Sequence, residues 1–288
     1  MISLCDLQAN YLSIKPEIDK AIMEVLASGR YVKGPKVEEF EKRWANFCGY
    51  KYGVGLSSGA MSLEIAIQVL DWPKGRQIVY NKETFIAIPN AIKRTGHLTL
   101  PISHLMSRTY YEDIYAHHHH WEKLDFKPLI EDCSHCHGCR PIGNIAVFSF
   151  FPAKILGAFG DAGILLTNNE TYYLSAKGLS SHGEGGTNAR MDEIQATILL
   201  TKLPHLKSWI EKRQAIVDKY DKAFGIKTPG KFHCYYCLPG LSGKEEQLKK
   251  AGIEVNSKYT EEEMGLPLYP EMTDSQIKKV IQEVKRVL

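Results

Sequence analysis

Hydrophobic positions recur at helical spacing through the first fifty residues. Ile14, Ile18, Ile22, Val25 and Leu26 share one face of a helix that opens near Pro16 and stops at Gly29. A second helix is predicted from about Lys36. It turns Val37, Phe40, Trp44, Phe47 and Cys48 inward and ends at Gly49. Shorter apolar runs then alternate with helical ones. Strands are predicted at residues 77–80, 97–100, 127–130 (ending in Glu131 and Asp132), 146–150 and 163–167, with helices at 60–70 and 86–94. This alternation predicts an α/β fold with a mostly parallel sheet covered by helices. From Met191 the pattern is helical through Phe224. A small α/β piece follows: strands near 232–238 and 253–256, a helix over 244–251, and an amphipathic helix from Asp274 capped by Thr273 or Asp274. The division expected is a large domain over 1–210 and a small C-terminal domain over 211–288.

Composition narrows the class of protein. The 288 residues are 44% hydrophobic and 24% charged, which excludes collagen, coiled coil and disordered chains. A net charge of 36 − 33 = +3 gives no electrostatic case for nucleic acid or an anionic membrane. The longest stretches without Asp, Glu, Lys or Arg run 13 residues, too short to span a bilayer. No basic segment precedes an apolar run at the N-terminus, so no signal peptide is expected and the protein is read as cytoplasmic. Its seven cysteines are then reduced thiols.

Three segments carry candidate chemistry. Ser57, Ser58, Gly59 and Ala60 stand before a helix, where free backbone N–H groups and two hydroxyls make a phosphate cradle; the same residues also serve as an ordinary helix entry. Asp132 sits at the carboxyl end of a strand, where α/β folds bind ligands, and can hold a proton on a ring nitrogen or cap a helix. Lys154 is the only charge between Arg140 and Asp161, in surroundings that favour an amine nucleophile; the ordinary alternative is a lysine snorkelling from a loop. A phosphate cradle, a ring-nitrogen carboxylate and a Schiff-base lysine together are what pyridoxal phosphate requires.

Ordered motifs extend this pattern along most of the chain. They include residues 28–35 (SGRYVKGP), Phe40-Glu41, 57–63 (SSGAMSL), 84–87 (TFIA), 130–138 (IEDCSHCHG), 149–154 (SFFPAK), 186–196 (GTNARMDEIQA) and 266–270 (LPLYP). In these the chain resembles the DegT/DnrJ/StrS aminotransferases, which act on nucleotide-linked keto sugars. The resemblance implies the aspartate-aminotransferase-like fold (fold type I) and a homodimer with shared active sites. By resemblance Lys154 carries the Schiff base and shuttles protons, and Asp132 keeps the pyridine nitrogen protonated. Phe85 stacks on the ring, and Ser58, Gly59, Ala60 and Ser149 hold the phosphate. Asn188 reaches the phosphate of the partner subunit's cofactor. Glutamate or glutamine is the implied donor, pyridoxamine phosphate the implied intermediate and polysaccharide biosynthesis the implied setting.

Departures from the family pattern bear on the substrate. Ala60 replaces the usual Thr. His135 stands where Gln usually contacts the ring hydroxyl; a neutral imidazole retains one hydrogen bond to give. Residues 101–128, 183–187 and 256–265 are shorter than their family counterparts. Sugar dehydratases of the family carry His in place of the lysine, and Lys154 argues against them. A non-catalytic relative would be favoured by loss of that lysine. A third alternative is a Cys/His metal protein using Cys133, Cys136 and Cys139, with Cys234 and Cys237 as a further C-x2-C pair. The family carries small residues at the first three positions, and a segment wrapped around a metal is not expected also to present Asp132, so no metal site is expected. The tetrahistidine run at 117–120 points its side chains in different directions and suits only adventitious metal.

Overall fold

A computed structural model describes residues 1–82, 84–102, 128–183, 185–228, 234–256 and 263–288. The tetrahistidine run, Lys127 and Phe232 lie outside the described residues. The chain forms two compact units, Pro16–Pro204 and Met1–Lys15 with His205–Leu288. The sequence division at 210 places the change of unit six residues further along, and it groups the first fifteen residues with the large domain.

The larger unit is built on a four-stranded sheet of β1 (Tyr52–Leu56), β4 (Ile130–Asp132), β5 (Ile145–Ser149) and β6 (Gly163–Thr167), in the order β1-β6-β5-β4. β6 runs antiparallel to both its neighbours and β4 parallel to β5. Three of the four strands therefore point one way, giving a mixed sheet with mostly parallel strand directions. β2 (Gln77–Asn81) and β3 (Leu98–Ile102) form a separate parallel pair.

Helices cover both faces, and the two-residue period of β5 shows how. Ile145 and Val147 pack into a core with Leu63, Ala66 and Ile67 of α4 (Gly59–Gln68), while Phe148 meets Trp44 of α3 (Pro35–Cys48) edge-on at 5.2 Å. A strand buried on both faces reads as a continuous apolar run, the signal seen at 146–150. Phe47 faces outward instead of joining Phe40 and Trp44 in the core; it is 43% exposed and stacks on Trp44 from outside.

Two buried carboxylates tie α3 in place. Glu193, at the start of α7 (Glu193–Lys202), accepts the N–H groups of Gly34 (3.1 Å), Lys36 (2.9 Å) and Val37 (3.0 Å). It supplies the cap that Gly34 has no side chain to give, with negative charge at the positive end of the helix. Glu41 accepts Gly55 N–H at 2.7 Å and pairs with Lys177 of α6 (Glu170–Leu179) at 2.8 Å. Burial raises the Glu41 pKa, and the lysine opposes that shift.

In the smaller unit α8 (Leu206–Phe224) and α10 (Asp274–Val287) enclose a core with β7 (Tyr236–Pro239) and β8 (Glu263–Leu266), which pair antiparallel. Ile2 donates to the Gly252 carbonyl at 2.7 Å and accepts from Glu254 at 2.9 Å, which binds the N-terminus here. Residues 253–256 are not the strand predicted: they supply two isolated bridges, Ile253 to Ile2 and Asn256 to Gly265. The pairing strand β8 overlaps the end of the segment expected to be trimmed, 256–265. Thr273 caps α10 in a reciprocal box with Gln276. Among the described residues two helices escaped prediction. α1 (Leu7–Ser13) buries none of its residues, and α6 buries Ala176 alone, so neither shows a clear apolar stripe.

Removing the Glu193 carboxylate orphans the buried N–H groups of Gly34 and Val37 and the half-buried one of Lys36. Glu193→Ala should therefore lower unfolding free energy by about 3 kcal/mol, with Glu193→Gln intermediate. Urea unfolding measures this; an unchanged midpoint would show that the α3 entry is held by other groups.

Candidate active site

Ser149, the last residue of β5, gathers the candidate residues. Its N–H donates to Ser134 Oγ at 3.1 Å, and that hydroxyl donates to Asp132 Oδ1 at 2.6 Å. Ser134 N–H reaches the same Asp132 oxygen at 3.0 Å. Asp132 is the last residue of β4, and its side chain is fixed by this short turn. Its bonds run outward to Ser134, so it does not serve as a helix cap.

The start of α4 presses against the same point. A Cβ on Gly59 would sit 2.5 Å from Ser149 Cβ, and a Cβ on Gly163 would sit 2.4 Å from the Ser58 carbonyl carbon. Only glycine permits this approach, so backbone lines the space between α4 and β5. Ser58 caps α4, accepting Met61 N–H at 3.1 Å. The N–H groups of Gly59 and Ala60 belong to the first turn, which has no intrahelical acceptors to offer them. Of the two readings of Ser57–Ala60, the helix entry is seen: Ser58 caps α4, and the first-turn N–H groups of Gly59 and Ala60 follow it.

Lys154 stands in the tight loop after β5. Its N–H donates to Phe151 O at 2.8 Å, Ala158 N–H returns to Phe150 O at 2.8 Å, and a Cβ on Gly157 would collide with Pro152 O. His137 locks the loop from beneath. Its Nδ1 accepts Leu156 N–H at 3.0 Å, which leaves Nε2–H to donate to Ser149 O at 3.0 Å. The ring is fully buried against Trp44, Phe148 and Phe150. Gln195 accepts Phe159 N–H at 3.0 Å and Lys202 donates to Gly157 O at 2.9 Å, completing the support. Sequence reasoning assigned none of these supports. Ser134, His137 and Gln195 lie inside the quoted motifs, but their roles depend on folds of the loop that spacing does not encode.

Lys154 Nζ lies 2.5 Å from His135 Nε2. Burial drives the His135 pKa well below that of a free imidazole, and the neighbouring Lys154 and His137 push the same way. The lowered pKa favours the neutral ring, whose Nε2 accepts a hydrogen bond from the Lys154 ammonium. Lysine, histidine and aspartate are thus brought to one turn beside the α4 N-terminus.

Two predicted residues stand outside these side-chain bonds. Phe85 is 71% exposed, just before α5 (Ala87–Arg94). Asn188 is exposed in the left-handed backbone region, φ 53°, and its N–H donates to Ser181 O at 3.2 Å. The next residue ties this loop to the chain entering α4, since Ser57 N–H donates to Ala189 O at 2.8 Å.

The same turn sorts its thiols to another side. Cys133, Cys136 and Cys139 bring their sulfur atoms within 4.8 Å of one another while Asp132, Ser134 and His135 bond toward Ser149 and Lys154. The three sulfurs thus gather without using the side-chain bonds that hold Asp132. None of the seven cysteines is in a disulfide.

The His135 ring gives the site a pH signature. In the unfolded chain it takes up a proton below its ordinary 6.5, while in the fold it resists. The unfolded state then binds more protons, so stability falls as pH drops through and below that value. The urea midpoint should fall more steeply between about pH 7 and about pH 5 in the native protein than in His135→Gln. Parallel profiles would mean that the ring charges freely in the fold.

Comparison with known proteins supplies the family. Residues 12–107 and 125–234 match the DegT/DnrJ/EryC1/StrS aminotransferase family. The chain is 31% identical to the erythromycin biosynthesis sensory transduction protein EryC1 of Saccharopolyspora erythraea, over 76% of this chain and 70% of that one. It is 30% identical to the dTDP-3-amino-3,4,6-trideoxy-alpha-D-glucose transaminase of Streptomyces venezuelae, over 76% and 68%. Among solved structures, S. venezuelae DesV in complex with a ketimine intermediate superposes with a TM-score of 0.88 at 25% identity, covering 99% of this chain and 97% of that one. The chain belongs to the DegT/DnrJ/EryC1/StrS aminotransferase family, whose enzymes depend on pyridoxal phosphate.

Proposed function

We propose that the enzyme moves an amino group from glutamate or glutamine to a keto group on a nucleotide-linked sugar. The carrying observation is the convergence of Lys154, His135 and Asp132 on the turn that meets the start of α4. The S. venezuelae relative, named as a dTDP-sugar transaminase, supports the acceptor class. The donor is an inference from the family resemblance.

The residues present fit pyridoxal phosphate. The approach enforced by Gly59 and Gly163 leaves first-turn N–H groups and the Ser58 and Ser149 hydroxyls to receive a phosphate. Asp132, held at one oxygen by Ser134, has its other oxygen to pair with a protonated ring nitrogen. When bound, the cofactor supplies the carbonyl that takes up the amine and a ring that delocalises an electron pair.

The protein's own groups supply the rest. Lys154 Nζ moves a proton to and from the substrate carbon. Neutral His135 orients the lysine and accepts its hydrogen bond without adding a second positive charge. Asp132 holds a proton on the ring, which keeps it electron-poor. Phe85 covers one face of the ring in this reading, and Asn188 reaches the phosphate in a second copy of the chain, so the working unit is a homodimer. Among the described residues no helix is long and apolar enough to cross a membrane, and the protein is read as a cytoplasmic enzyme.

Two measurements test the assignment. Lys154→Ala should lose turnover by at least about a thousandfold and abolish the absorbance of the covalently held cofactor, while Asp132→Asn loses about a hundredfold and retains cofactor. Adding glutamate to the native holoenzyme should convert the bound absorbance to that of the amine form. Full activity in Lys154→Ala would remove the catalytic assignment, and a spectrum unmoved by glutamate and glutamine would reject the donors.

A second test concerns the cradle. Gly59→Ala forces a Cβ against Ser149 and should weaken cofactor retention by at least about tenfold in dialysis, without loss of the fold. Unchanged retention would place the phosphate elsewhere.

A further inference from the structure

We propose that Cys133, Cys136 and Cys139 form a binding site for a soft, trivalent, thiophilic ion held by three sulfurs. The site is separate from the aminotransferase chemistry and does not rest on it. Consecutive turns set the three side chains on one side: Cys136 N–H donates to Cys133 O at 3.0 Å, and Cys139 N–H to Cys136 O at 3.1 Å. The three sulfur atoms lie within 4.8 Å of one another, and those of Cys136 and Cys139 are 3.2 Å apart. Sulfurs bound to one ion at about 2.3 Å stand about 3.8 Å apart, so the spacing suits common coordination with little backbone movement. Cys133 and Cys139 are buried, and Cys136 keeps 9% exposure as the point of entry.

Donor number and charge select the ion. Among the described residues three sulfurs make up the cluster, with no fourth His, Cys, Asp or Glu within the same distance. His137 is not a fourth donor, because Leu156 N–H and Ser149 O use both its ring nitrogens. Three thiolates leave a charge of −2 on a monovalent ion and −1 on a divalent one. Such a charge is costly in a buried place, and the carboxylate of Glu131 nearby makes it worse. A trivalent ion gives a neutral complex. With arsenite the balance is simple: three As–O bonds break, three As–S bonds form, and the three thiol protons leave with the hydroxides as three waters. No atom changes oxidation state.

The test uses reduced holoenzyme, arsenite or zinc chloride as probes, and native mass spectrometry. One arsenic per chain is expected, with the mass change of losing three waters. Sulfur-only coordination by three atoms is expected in X-ray absorption. Cys136→Ala and Cys139→Ala should each weaken retention at least about tenfold. These small residues preserve the packing, and far-UV circular dichroism checks the fold. Cys234→Ala/Cys237→Ala should bind as the native protein does. Failure of the folded holoenzyme to hold arsenic would overturn the proposal, as would equal retention by Cys136→Ala, or retention of zinc in preference to arsenite. Because binding is read by mass, it is independent of whether the amino donor and acceptor are correctly assigned.

Discussion

The close approach of α4 to the end of β5 is the constraint on which the site depends. Two glycines permit it, Gly59 against Ser149 and Gly163 against the Ser58 carbonyl. A side chain at either place would push the helix start away from the strand end. β6 is buried along its length and β5 over Ile145–Phe148, so these strands cannot shift to relieve a clash without disturbing a packed core. The geometry of the site is therefore set by the interior of the larger unit.

His137 shows how a buried polar group can fix the loop that carries Lys154. Its two ring nitrogens join Ser149, which ends the strand, to Leu156, on the far side of Lys154. Both nitrogens are satisfied, so burial against three aromatic rings costs little, and the tautomer is specified by the partners. Lys154 is held between two anchored points rather than at the tip of a free loop. A long lysine carries many rotamers, and anchoring its backbone with a contact to His135 at its end restricts most of them.

Much of this was legible in the sequence, for physical reasons that differ by element. β6 was placed at its observed bounds because five buried residues in a row leave only a strand reading. α3 and its stop at Gly49 were legible because the cap takes the left-handed backbone that glycine favours. α1 and α6 were not, since a helix with at most one buried residue lacks the periodic signal. β8 was missed because its pairing partner lies at 236–239, and local pattern does not record long-range pairing. At the site, residue types announced Lys154, Asp132 and the helix start. The roles of Ser134, His137 and Gln195 did not show, because each acts through a loop whose path is a product of the fold.

The turn after β4 carries two chemistries without conflict because its residues alternate in direction. Asp132, Ser134 and His135 bond toward Ser149 and Lys154, while the intervening cysteines point into the protein and meet one another. Residues at i, i+3 and i+6 in successive tight turns return to one side, which is how three small side chains come to share a pocket. Small residues there suffice to pack the turn, and cysteine meets that demand as a small apolar side chain. Three together do more than fill space, because converging sulfur atoms offer donors that alanine does not. The packing requirement explains why small residues stand at these positions, and the convergence of their sulfurs gives the turn a capacity that packing alone does not require.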